Sequence, residues 1–97
     1  MRAPKLTDSE IQARLTDQPG WAVQENALRR TYQFPDFVAA MKFVNQLADE
    51  AERVQHHPDI DIRYNKVTLT LSTHDSGGIT AKDFELAKQA DAFAPKS

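Results

Sequence analysis

Three histidines are the side chains of this 97-residue sequence whose ordinary pKa, about 6.5, lets them give and take a proton near neutral pH. His56 and His57 are adjacent, inside the stretch that runs from Glu52 through His-His-Pro to Tyr64, and His74 follows ten residues after Tyr64. Asp83 comes nine residues after His74. Three readings of this constellation stand side by side. In the first it is structural: His56 is a cationic cap at the end of a helix, His57 is partly buried and His74 is solvated. In the second, histidines and carboxylates hold a metal ion. Neighbouring histidines in an extended segment point apart, however, and no His-x-x-x-His spacing is present. The third is general acid–base catalysis with neither metal nor covalent intermediate, in a reaction that needs one proton delivered and one removed. No serine or lysine has a recognisable nucleophile context, and Gly77-Gly78 lacks the patterns of a phosphate-binding loop.

The elements that must position these imidazoles follow from periodicity. Thr7 and Glu10 form a capping pair, with Leu6 able to staple onto Ile11, and they predict a short first helix that Pro19-Gly20 ends. Trp21 and Val23 then alternate with Ala22 and Gln24 as a first strand. Glu25-Asn26 reads as a turn, and Leu28, Tyr32 and Phe34 alternate with Arg29, Thr31 and Gln33 as a second strand whose apolar face Arg30 interrupts. Trp21 and Tyr32 are expected in the core. Asp36 caps the longest helix, in which Phe37, Ala40, Met41, Val44, Leu47, Ala48 and Ala51 share one face while Phe43 and Val54 fall off it. Apolar residues on more than one face fit either a broad core contact or a second subunit.

After His56-His57-Pro58, Ile60, Ile62 and Tyr64 alternate with Asp59, Asp61 and Arg63, and Asn65-Lys66 reads as a tight turn. Val67, Leu69 and Leu71 then alternate with Thr68, Thr70, Ser72 and His74, which places His74 at a strand end on the polar face. Thr80 caps a last helix with Asp83 as its capping-box acid, and Leu86, Ala87, Ala90 and Phe93 face inward. The order α-β-β-α-β-β-α, with two antiparallel hairpins, predicts an α+β fold: one four-stranded antiparallel sheet with three helices packed on one face, a single domain over residues 1–97.

Composition narrows the classes of function. The net charge of -2, with acidic and basic residues mixed along the chain, offers no one-signed stripe for a phosphate backbone and disfavours direct nucleic-acid binding. With no cysteine, neither disulfides nor thiolate metal sites are available. No apolar run is long enough to span a bilayer, and Met1 to Asp8 lacks the apolar core of a leader, so a cytoplasmic protein is expected. A core this small makes self-association unsurprising.

The spacing Glu52, His56-His57-Pro58, Tyr64, His74, Asp83 resembles the signature of the pterin-4a-carbinolamine dehydratases. Tyr-Asn-Lys-Val at 64–67, Leu-Ser-Thr-His at 71–74, Gly78-Ile79-Thr80 before Lys82-Asp83, Trp21 and Phe37-Ala-Ala-Met-Lys-Phe43 fit as well, so the likeness covers nearly the whole chain. Some relatives carry an aromatic residue where Ile60 stands. The resemblance implies a sheet with helices on one face. It also implies an enzyme that dehydrates 4a-hydroxytetrahydropterin to quinonoid dihydropterin and water, recycling the pterin used by an aromatic amino-acid hydroxylase. By the same analogy His56 and His74 transfer protons at the 4a-hydroxyl and N5, and His57 mainly orients the pterin. Glu52, Ser72, Thr73 and Asp83 contribute to substrate binding, Asp83 holding either a histidine or the pterin ring. Neither metal nor cofactor is implied, since the pterin is the substrate, and homodimers or homotetramers are. His56, near the negative end of the long helix with Glu52 four residues earlier, is the expected acid, and His74 the expected base. The alternative is a non-catalytic module, because some relatives serve as dimerisation cofactors of a transcription factor.

Overall fold

The computed structural model describes residues 4–94. The reading of the N-terminus as free of an apolar leader extends over Met1, Arg2 and Ala3, which lie outside the described residues. Helix α1 spans Asp8–Asp17, strand β1 Ala22–Gln24, β2 Ala27–Gln33, helix α2 Phe37–Val54, β3 Asp59–Arg63, β4 Lys66–Leu71 and helix α3 Ala81–Phe93. All three helices start at the expected caps. Thr7 with Glu10 and Thr80 with Asp83 form complete capping boxes, and the Asp36 carboxylate accepts from the Ala39 N–H.

The strands form one antiparallel sheet in the order β1-β2-β4-β3. Since β2 and β3 are both antiparallel to β4, they run in the same direction with β4 between them, and α2 is the crossover that joins them. Leu28, Tyr32, Val67, Leu69 and Leu71 point from the two central strands into a core completed by Ile11 of α1, Ala40, Phe43, Val44 and Leu47 of α2, and Phe84, Leu86, Ala87 and Ala90 of α3. Arg29 and Thr31 on the opposite face are exposed. The α+β architecture with helices on one face is as expected.

Arg30 does interrupt the core face, opposite Leu69, and the structure shows how its charge is accommodated. Its guanidinium lies 2.9 Å from the Asp91 carboxylate of α3 and stacks 4.6 Å above the Tyr32 ring. Asp91 also accepts from the Trp21 indole N–H and the Tyr32 hydroxyl, so Trp21 and Tyr32 are core residues with their polar ends tied to α3.

Four local expectations need correction. Phe43, set off the helical stripe, is buried at 1 % exposure and packs 4.8 Å from Tyr32 and 5.1 Å from Phe34, whereas Phe37, set on it, is 46 % exposed. Tyr32 on β2 and Phe34 just past its end meet the middle of α2, where Phe43 stands, while Phe37 sits in the first turn. Val23 is exposed rather than paired inward with Trp21, since β1 is a three-residue edge strand and the indole precedes it. Tyr64 is not a strand residue. It occupies the β3–β4 turn at φ 52° and is 66 % exposed, and because Arg63 pairs with Lys66 the turn is Tyr64-Asn65 rather than Asn65-Lys66. Asn65 fixes it by exchanging hydrogen bonds with the backbone of Phe34. Finally, β4 ends at Leu71, so His74 lies beyond the strand.

Candidate active site

The C-terminus of α2 delivers the paired histidines. Gln55 adopts the left-handed conformation, φ 55° and ψ 43°, and its N–H closes onto the last turn of the helix. The next N–H, of His56, returns 3.1 Å to the Ala51 carbonyl. This reversal sends the two neighbouring imidazoles to different environments. His56 is buried, with its Nε2 2.5 Å from Oδ1 of Asp83. His57 is exposed, and its Nε2 pairs with the Glu52 carboxylate. The expectation that Glu52 would act on His56 is therefore corrected: the reversal at Gln55 turns His56 away from its own helix, and the carboxylate beside it comes from α3.

His74 is placed by a separate device. Thr73 and Gly78 form an isolated antiparallel bridge, the Thr73 N–H donating to the Gly78 carbonyl at 2.8 Å, and His74–Ser76 form a 3-10 turn inside the loop so closed. Gly77 ends that turn at φ +75°, a conformation that disfavours any residue with a side chain. The strand alternation that put His74 on the polar face of β4 does not reach it; the turn directs it instead.

These two devices bring the three histidines to one open cleft of about 230 Å³, lined by Gln55, His56, His57, Ser72, Thr73, His74, Asp75 and Lys82. Glu52 stays outside the lining and acts on the cleft through His57. Asp83 has no exposed surface and is linked to the cleft through His56 and Thr73, so contact with a bound ring is not open to it. Thr73 lines the cleft but turns its hydroxyl inward, 3.0 Å from Asp83 Oδ2 and 2.8 Å from the Thr80 hydroxyl. Asp83 Oδ2 also accepts from the Thr80 N–H at 2.9 Å, so this acid is at once a helix cap and the partner of a histidine. A second cleft of about 280 Å³ lies between α2 and α3, beside Glu50, Arg53, Val54 and Leu86, and shares His56 and Lys82 with the first. The first is the candidate site, because all three imidazoles meet there, whereas the second holds His56 alone among the histidines.

Gln55, Asp75 and Lys82 were not singled out from the sequence as site residues. Only adjacency to His56, His74 and Asp83 marks them, a signal that cannot be separated from ordinary surface polarity. Among the described residues, no group of three or more histidines and carboxylates is arranged to hold a metal ion. The ring nitrogens that do meet carboxylates are shared between two different acids.

The arrangement can hold a flat polar molecule against several imidazoles, one of them backed by a buried carboxylate, and move protons to and from it. Comparison with known proteins points the same way. The profile of a family described as "Pterin 4 alpha carbinolamine dehydratase" matches residues 4–93. A relative from Picosynechococcus sp. is 52% identical over 89 residues, covering 92% of this chain and 97% of its own, and one from Roseiflexus castenholzii is 56% identical over 89 residues, covering 92% and 96%. Both carry pterin-4-alpha-carbinolamine dehydratase in their names. Among solved structures, a transcriptional coactivator/pterin dehydratase from Brucella melitensis superposes with a TM-score of 0.91 at 36% identity, covering 94% of this chain and 99% of its own. A pterin dehydratase-like protein described as a RuBisCO assembly factor in the alpha-carboxysome superposes with a TM-score of 0.68 at 25% identity, covering 80% and 93%.

Proposed function

The chain belongs to the pterin 4 alpha carbinolamine dehydratase family, and from that membership and the cleft we propose that it dehydrates 4a-hydroxytetrahydropterin by histidine acid–base catalysis without a metal. The observation that carries this reading is the meeting of His56, His57 and His74, from two distant parts of the chain, in one cleft. The 4a-hydroxyl is a poor leaving group at neutral pH. Protonated by an imidazolium, it departs as water while the N5 lone pair forms the double bond to C4a; loss of the N5 proton to a second imidazole then gives the quinonoid dihydropterin. His56, at the negative end of α2 and beside the Asp83 carboxylate, is the acid, and His74 in its exposed turn is the base. His57, steadied by Glu52 at the rim, orients the ring together with Ser72.

In this role the protein regenerates the pterin spent by an aromatic amino-acid hydroxylase in the cytoplasm, as a homodimer or homotetramer. Phe37 and Val38, exposed at 46 % and 68 % at the start of α2, support self-association. The same exposed residues favour a second reading, a binding module that docks on a helical partner without catalysis, and one structural neighbour is described as a coactivator as well as a dehydratase. A coupled assay separates the two. With a hydroxylase generating the 4a-carbinolamine, the proposal predicts that adding this protein accelerates its decay, equally well with a chelator present. Decay at the uncatalysed rate leaves the binding module, and chelator-sensitive acceleration contradicts the metal-free reading.

A further inference from the structure

We infer that Thr73 is a positioning residue that holds Asp83 as an acceptor, so that His56 keeps a proton on Nε2 and exchanges protons with the substrate through Nδ1. The inference builds on the dehydratase reading above and starts from four hydrogen bonds in a region closed to solvent: Thr80 and Asp83 have no exposed surface, and Thr73 retains 8 %. The Lys82 N–H donates to the Thr80 hydroxyl oxygen at 3.2 Å, and that hydroxyl lies 2.8 Å from the Thr73 hydroxyl. Thr73 lies 3.0 Å from Asp83 Oδ2, which also accepts from the Thr80 N–H at 2.9 Å.

Each hydroxyl has one proton to donate, and an ionised carboxylate has none. The Thr73 proton therefore goes to Asp83, the Thr80 proton goes to Thr73, and the cap N–H of Lys82 completes the Thr80 oxygen. The chain of donors has one direction, Lys82 N–H to Thr80 to Thr73 to Asp83, and it ends on a carboxylate that accepts two bonds at Oδ2. At Oδ1, 2.5 Å from His56 Nε2, the same carboxylate accepts again, so the proton in that contact belongs to the imidazole. With Nε2–H committed to a buried acid, Nδ1 is the nitrogen left to protonate and deprotonate during turnover. A hydrogen bond that fixes the tautomer of a catalytic histidine works through orientation and proton placement, so its loss lowers kcat more than it raises KM.

The test is nitrogen-15 NMR of the histidine side chains of the intact protein, without substrate, beside steady-state kinetics of Thr73→Val and Thr73→Ser. In the wild type the neutral His56 ring is expected as the Nε2–H form. In Thr73→Val, which keeps the shape and removes the hydroxyl, the His56 resonances are expected to move toward a mixture of tautomers, with kcat reduced roughly tenfold and KM little changed. Thr73→Ser, which restores a hydroxyl, is expected to recover both. A wild-type His56 in the Nδ1–H form overturns the inference whether or not any variant folds. Thr73→Val with unaltered resonances and kcat, changed only in melting temperature, overturns it as well. Because the spectra need no substrate, a protein inactive in the coupled assay sinks the dehydratase reading while the tautomer assignment is still judged separately.

Discussion

At the level of single residues, the structure separates carboxylates that serve the cleft from one that serves the core. Asp83 and Glu52 each hold a histidine, whereas Asp91 gathers Trp21, Arg30 and Tyr32 between the sheet and α3. The Tyr32 hydroxyl shows what that costs at high pH. Burial first, then the hydrogen bond to the Asp91 carboxylate, raises the Tyr32 phenol well above its ordinary value of 10.0. Below about pH 10 the phenol is protonated in the folded and unfolded chains alike and contributes no slope. Above it the unfolded chain releases the proton first, so stability falls by about 1.4 kcal/mol per pH unit on this account. Denaturation midpoints between about pH 9 and pH 11.5 should therefore drop more steeply for the wild type than for Tyr32→Phe. Parallel curves would show that the hydroxyl does not resist ionisation in the fold.

Among the elements, α2 does two jobs. Its middle closes the core and its end aims the histidines, and the two were not equally legible in the sequence. The helix, its Asp36 cap and most of its buried face follow from periodicity; the burial of Phe43 in place of Phe37 does not, because it depends on where Tyr32 of β2 and Phe34 just after it stand. Phe43→Ala should accordingly cost about 3–5 kcal/mol in chemical denaturation, and Phe37→Ala well under half of that. Equal losses would place both rings in the core. The same limit applied to the site. The spacing of Glu52, His56, His57, His74 and Asp83 was visible, but the partnering was not. Glu52 is four residues from His56 yet meets His57, because a left-handed Gln55 reverses the chain between them. Such a conformation is hard to foresee at a residue other than glycine or asparagine. His74 continued an alternation on paper and left it in space, since the bridge between Thr73 and Gly78 closes a loop that no local pattern announces.

For the whole molecule, topology explains why a chain of this size can bring distant imidazoles together. The sheet order places β3, which follows His56-His57-Pro58, beside β4, which leads to His74, and α3 returns Asp83 beneath them. No helix among the described residues is long and apolar enough to cross a membrane. The exposed Phe37 and Val38 on α2 lead to an expectation about assembly: light scattering should return two or four times the 10.9 kDa chain mass, and Val38→Asp should shift the population toward smaller species. A wild-type mass of one chain at high concentration would remove the assembly from the proposal. The central claim, that His56 and His74 move the protons while His57 holds the ring, is tested most directly by the decay rate of 4a-hydroxytetrahydropterin with each histidine changed to alanine in turn. His56→Ala and His74→Ala should each lose about 10²- to 10⁴-fold in kcat while staying folded, and His57→Ala should raise KM more than it lowers kcat. Unchanged kinetics in all three variants would contradict the account and leave the histidines a structural role.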